Sequence, residues 1–95
     1  MATLQEKLIQ RLKSLKDLDG VVIEVSPDQG TLHIRHDLHH AADFKFKWVD
    51  GTHYVGYFVD AKDNESQAIV SLWEPLEAVK FIALYMTLVE LKARR

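Results

Sequence analysis

Five histidines, His33, His36, His39, His40 and His53, are the residues whose type and spacing first suggest chemistry; four of them fall within the eight positions of HIRHDLHH. A neutral imidazole binds zinc, nickel or copper through a ring nitrogen, and three convergent rings suffice for an open catalytic site. Asp37 or Asp43 adds a possible oxygen ligand beside them. His36, His39 and His40 are the candidate metal ligands on this reading. Strand geometry works against it. Side chains alternate faces along an extended chain, so His33 points to one side and His36 to the other, while His39 and His40 fall in the turn that follows. No HExxH spacing and no cysteine is present to complete a ligand set. Polar turn and strand-end residues are the simpler account. The expectation is no specific metal site and no cofactor, with zinc or nickel held no tighter than about micromolar, a range open to adventitious surface histidines.

A second constellation lies in the middle of the chain, in FKFKWVDGTHYVGYFVD from Phe44 to Asp60. Two alternating runs flank Asp50-Gly51, and both residues of a type I′ turn need positive φ, which Asp and Gly tolerate, so the segment reads as a β-hairpin. A two-residue turn pairs Val49 with Thr52, Trp48 with His53, Phe46 with Val55 and Phe44 with Tyr57. One face then carries Phe44, Phe46, Trp48, Val55, Tyr57 and Val59, a core face. The opposite face carries Lys45, Lys47, Tyr54, Gly56 and Phe58. Joined by His33 and Arg35 from the preceding strand, it makes a candidate ligand or nucleic-acid surface of His33, Arg35, Lys45, Lys47, Tyr54 and Phe58. Basic groups interleaved with aromatics can hold phosphates and stack bases. A net charge of -2 counts against that use, and Glu24 and Asp60 offset the lysines. A solvated face, or a face packed on a helix or a partner chain, are the alternatives.

Other catalytic patterns are missing. Ser14, Ser26, Ser66 and Ser71 have no GxSxG context and no histidine placed to activate them. Asp60 with Asp63, and Glu74 with Glu77, fall in a loop and a first helical turn, where solvation and capping account for them. The four glycines read as turn, cap or strand residues, not as a phosphate loop. No enzyme activity is expected.

The elements that position these groups follow from patterning. Thr3-Leu4-Gln5-Glu6 fits a capping box. Leu4, Leu8, Leu12, Leu15 and Leu18 then recur at spacings of three and four, one face of a helix that Asp19-Gly20 ends. Val21–Val25 is a strand with Val21, Ile23 and Val25 inward, and Ser26-Pro27-Asp28-Gln29-Gly30 is a turn. Thr31–His36 returns with Leu32 and Ile34 inward, leaving Thr31, His33 and Arg35 beside Val22 and Glu24. Because Leu32, Ile34, Phe44, Phe46 and Trp48 are all even-numbered, the next hairpin needs an odd loop, which pairs Ile34 with Phe44 and places the turn within Asp37-Leu38-His39-His40-Ala41. A polar loop covers 61–66. Residues 67–72 form a short fifth strand or lead straight into the last helix. Ser71-Leu72-Trp73-Glu74 as a capping box and Pro75 as a first helical residue place that helix start differently, and both remain open.

Length and composition bound the function class. Ninety-five residues make one domain, with 47% apolar and 27% charged residues, as in ordinary globular proteins. The absence of cysteine removes disulfides and thiolate chemistry and fits a reducing, cytoplasmic location. MATLQEKL has no apolar signal core. The run from Ala78 to Leu91 is too short and too interrupted, by Lys80, Thr87 and Glu90, for a membrane span.

The last helix carries the strongest functional hint. Leu76, Val79, Ala83 and Met86 make one apolar row, Ala78, Ile82, Tyr85 and Val89 a second, and Phe81, Leu84, Leu88 and Leu91 a third. A helix covering one face of one sheet needs a single stripe, so the surplus marks an interface. If the first row packs on the sheet, the third, Phe81, Leu84, Leu88 and Leu91, meets either the first helix or a second chain. The second chain is favoured because the leucines of the first helix are needed on the sheet; closure of both helices and both sheet faces around the row within one monomer is the alternative. The resulting expectation is a two-layer α+β fold, helix, four- or five-stranded antiparallel meander, helix, over residues 1–95. The expected role is a small non-enzymatic interaction or regulatory protein whose partner is itself, as a homodimer, or another protein. A nucleic-acid module using the basic-aromatic face, and a metal-binding protein using the histidine turn, are the alternatives.

Overall fold

The computed structural model describes residues 3–37, 43–60, 62 and 64–93. Helix α1 spans Leu4–Leu12. Its N-cap is Thr3, whose hydroxyl accepts from the Glu6 amide at 3.1 Å, so one orphan donor of the first turn is satisfied as the sequence pattern anticipates. The leucine stripe continues beyond it as a 3-10 turn over Lys13–Asp17. Leu8, Leu12 and Leu15 are fully buried along that stripe. Gly20 follows with φ 86.

Five strands form one antiparallel sheet in sequence order: β1 Val21–Val25, β2 Thr31–His36, β3 Phe44–Val49, β4 His53–Phe58 and β5 Val70–Leu72. The first hairpin puts its side chains on the expected faces, and the second has the expected register. Ile23 pairs with Ile34 and Glu24 with His33; Ile34 pairs with Phe44 and Leu32 with Phe46. Between β2 and β3, residues 38–42 lie outside the described residues, and with them all of the expected turn but Asp37. Residues 70–72 are a strand, so the sheet takes its five-stranded form. Helix α2 then runs from Pro75 to Ala93. Proline at its first position lacks an amide that the helix would leave unbonded anyway. Two residues on, Glu77 accepts the Trp73 amide at 3.0 Å. Ser71 is a strand residue, so the earlier of the two expected helix starts does not operate.

The third hairpin departs from expectation by one residue. Asp50 and Gly51 both have positive φ, 55 and 68, and the Thr52 amide donates to the Val49 carbonyl at 3.1 Å, as a type I′ turn requires. Thr52, however, is an extra residue. Val49 pairs with His53, Trp48 with Tyr54, Phe46 with Gly56 and Phe44 with Phe58. The Thr52 hydroxyl holds the bulge, lying 3.2 Å from the Val49 carbonyl and 2.7 Å from His53 Nδ1. A one-residue slip sends every β4 side chain to the other face. Tyr54, Gly56 and Phe58 therefore share the face of Phe44 and Phe46, and Val55 and Tyr57 share the face of Lys45 and Lys47.

Both helices pack on the same sheet face. One cluster unites Leu8, Leu12 and Leu15 with Leu32, Ile34, Phe44 and Phe46, and these with Ala78, Phe81 and Tyr85. Phe81 wedges edge-on between two sheet rings, 5.0 Å from Phe44 at 83° and 5.0 Å from Phe46 at 89°, the geometry that ring quadrupoles favour. Gly56 leaves the space that Phe46 fills: a Cβ there would lie 2.6 Å from both Phe46 and Val70.

Candidate interaction surface

The outer face of the sheet gathers His33, Arg35, Lys45 and Lys47, but not Tyr54 or Phe58. Tyr54 is fully buried on the core face, with its hydroxyl donating to the Gln29 carbonyl at 2.5 Å. Burial pushes its pKa up to about 12. Phe58 is 37% exposed on that same side, with its ring 4.5 Å from Phe44. Tyr57 takes the aromatic place outside, with the Lys47 ammonium 5.2 Å from its ring centroid.

The cations of this face already have counter-ions. Arg35 pairs with Glu24 across β1 and β2. Lys45 and Lys47 both reach Glu65, at 3.2 and 2.7 Å. The backbone places Glu65 there. An antiparallel bridge ties it to Val59, and Ser66 bonds Phe58 in both directions, its amide to the carbonyl at 2.9 Å and its hydroxyl from the amide at 3.0 Å. Hydrogen bonds from Lys47 and then Lys45 hold the Glu65 carboxyl below the usual carboxylate range, and the same contact raises Lys47. A phosphate would have to displace this carboxylate. No spacing rule links Glu65 to β3, which is why the sequence shows only the lysines.

His36 is buried and its amide donates to Asp43 at 3.1 Å. His33 lies on the opposite face, half-buried. His39 and His40 lie outside the described residues. Among the described residues no group of three His, Cys, Asp or Glu side chains is placed to hold a metal. At the far end of the sheet, His53 stacks on Trp73 with ring centroids 3.7 Å apart and planes 9° apart. That contact joins the third hairpin to the start of α2, and nothing in the sequence pattern marks it.

Helix α2 buries a different stripe from the one expected. Ala78, Phe81 and Tyr85 are buried in the core, with Ile82, Leu88 and Val89 half-buried beside them. The row of Leu76, Val79, Ala83 and Met86 faces away from the core. The expected partner row of Phe81, Leu84, Leu88 and Leu91 therefore splits. Phe81 belongs to the core and Leu88 packs against it, while Leu84 and Leu91 are exposed. A helix apolar around its girth carries no phase of its own. Here the rings decide: Phe81 and Tyr85 lie 5.0 and 5.8 Å from Phe44, and the inner side of α2 also packs on α1. The outcome is an outward helix face on which Leu76, Val79, Leu84, Met86 and Leu91 are 60%, 41%, 62%, 47% and 56% exposed. Beneath its Leu84 edge a groove of about 250 Å³ lies between α2 and β5, lined by Val70, Ser71, Leu72, Glu77, Lys80, Phe81 and Leu84.

Comparison with known proteins finds no matching family model, no matching curated protein and no matching solved structure. Among the described residues no helix is long and apolar enough to cross a membrane.

Proposed function

We propose that the protein is a small non-enzymatic interaction module that associates with a second copy of itself through the outward face of α2. One observation carries the reading: five large aliphatic side chains stand more than two-fifths exposed along one side of one helix. Isolated apolar residues on a surface are ordinary, but a contiguous row of them marks an interface. The helix is 19 residues, roughly 28 Å long at 1.5 Å per residue, so the row is a long stripe rather than a point. A self-complementary patch closes with two-fold symmetry, the commonest form of small oligomers. One helix face lies at the small end of specific interfaces, so association in the micromolar range is expected.

The outer sheet face supports a partner less well, since Glu24 and Glu65 neutralise its cations from within the chain. Sedimentation equilibrium through the micromolar range tests the dimer. The wild-type chain should dimerise, and Leu76→Glu with Leu84→Glu should be a folded monomer. A wild-type monomer at every concentration, or a double variant as dimeric as wild type, overturns the reading.

A further inference from the structure

The polar residues on the outward face of α2 fix how two copies meet, and this inference rests on the dimer reading just given. Ala83 and Thr87 lie near the midline of that face. Lys80 and Glu90 flank it, one on each side, at the two ends of a ten-residue interval. At 3.6 residues per turn they sit roughly 40° to either side of the midline and about 15 Å apart along the axis. All four are exposed. We infer that two α2 helices pack antiparallel about a two-fold axis level with position 85, with Lys80 of each copy against Glu90 of the other.

The symmetry decides between the two ways of pairing a helix with its own copy. A parallel pair sets each residue level with its own copy, so Lys80 meets Lys80 and Glu90 meets Glu90. Like charges across a contact are destabilising. An antiparallel pair centred on 85 brings together positions whose numbers sum to 170. Lys80 then stands level with Glu90 of the other copy, on the opposite side of the seam, within reach of a four-carbon side chain. A carboxylate accepts from more than one donor, so Glu90 can take this cation beside its contacts within its own chain. The same relation puts Val79 level with Leu91 and Leu84 level with Met86, apolar residues with apolar residues at both levels. At the centre Ala83 meets Thr87, and two small side chains let the helices approach closely. The macrodipoles also oppose each other in this arrangement. The occupant of the face is thereby a second copy of this chain: its charges are complementary to themselves in one direction only.

The test uses charge reversal on the full chain. Lys80→Glu places two carboxylates at each of the two symmetry-related contacts, and Glu90→Lys places two ammonium groups there. Each single variant should dimerise at least about tenfold more weakly than wild type, as expected when two ion pairs become two repulsions. The double variant Lys80→Glu with Glu90→Lys restores both pairs and should return to wild-type affinity. An equimolar mixture of the two single variants should form a heterodimer, because each supplies the charge that the other lacks. Orientation is read separately, since the chain has no native cysteine. Lys80→Cys mixed with Glu90→Cys should cross-link under mild oxidation far faster than Lys80→Cys alone. A wild-type monomer overturns the dimer reading itself. A wild-type dimer whose affinity ignores both single reversals, or in which Lys80→Cys alone cross-links as fast as the mixture, leaves the dimer standing and overturns the antiparallel register.

Discussion

The Lys47 ammonium donates to the Glu65 carboxylate at 2.7 Å, across 18 positions of sequence, and Lys45 joins the same carboxylate at 3.2 Å. The folded state therefore prefers ionised Glu65, and its pKa lies below the ordinary value of 4.5. A carboxylate depressed on folding adds stability that is present above its unfolded pKa and is lost as pH falls through the folded one. Side-chain NMR titration should place the Glu65 midpoint below 4.5, and Lys45→Met with Lys47→Met should move it back toward that value. A Glu65 midpoint indifferent to both lysines would show that the contact does not persist in solution.

The same ion triad bears on nucleic acid. A binder that neutralises several phosphates loses affinity steeply as salt rises, because counterions are released. Here the two β3 lysines are already committed to Glu65, and the net charge is -2. Single-stranded DNA or RNA should bind weakly at most, and not at physiological salt. Tight binding there, abolished by Lys45→Glu with Lys47→Glu in a fluorescence anisotropy titration, would make the outer face the functional surface instead.

Much of the fold is legible in residue patterning because alternation and leucine spacing are direct images of burial. Leu8, Leu12, Ile34 and Phe46 are buried where their periodicity places them. Two features escape it for physical reasons. The phase of β4 hangs on the single residue Thr52, whose hydroxyl stabilises a bulge that Asp50-Gly51 alone does not require. The phase of α2 hangs on which of three apolar rows meets Phe44, a three-dimensional fit that no one-dimensional pattern encodes. The candidate surface suffers from both: the first error moves Tyr54 and Phe58 inward, and the second moves Phe81 into the core. Glu65 and Trp73 are missed altogether, since their partners are distant in sequence.

Two buried tyrosines should respond oppositely to loss of the hydroxyl. Tyr54 donates to the Gln29 carbonyl, which also accepts from Gln5 at 2.7 Å, so it ties β4 to the first turn and to α1. Tyr54→Phe should cost about 1 kcal/mol. The Tyr85 hydroxyl is buried without a hydrogen-bond partner among the described residues, and burial raises its pKa. Tyr85→Phe removes an unsatisfied donor and should be neutral or stabilising by up to about 1 kcal/mol. Urea denaturation of the two variants checks the contrast; equal losses would contradict the two environments.

Gly56 offers a sharper test of the β4 register. With Gly56 opposite Phe46 on the core face, a methyl group at position 56 would press on Phe46 and Val70 at 2.6 Å. Both are packed side chains on neighbouring strands, so Gly56→Ala should destabilise by about 1–3 kcal/mol, the range for overpacking. In the unbulged register Gly56 would face outward, and the same substitution would be close to neutral. Chemical denaturation of Gly56→Ala thus reports which face β4 presents.

Phe81 and Leu84 separate folding from association, although they lie three residues apart on one helix. Phe81 is 3% exposed between Phe44 and Phe46, whereas Leu84 is 62% exposed. Glutamate at 81 would bury a charge with no partner, a penalty of several kcal/mol against a total stability on the order of 5–10 kcal/mol. Phe81→Glu should therefore show no cooperative unfolding transition and should lose the near-ultraviolet signal of packed aromatics. Leu84→Glu places its charge in water within the monomer, so its stability below the dimer dissociation range should stay within about 0.5 kcal/mol of wild type. At higher concentration that charge enters the seam, and sedimentation should show a folded monomer where the wild type is a dimer. If Leu84→Glu unfolds as Phe81→Glu does, the outward phase of α2 is wrong. If Leu84→Glu folds and dimerises normally, the helix face is not the contact.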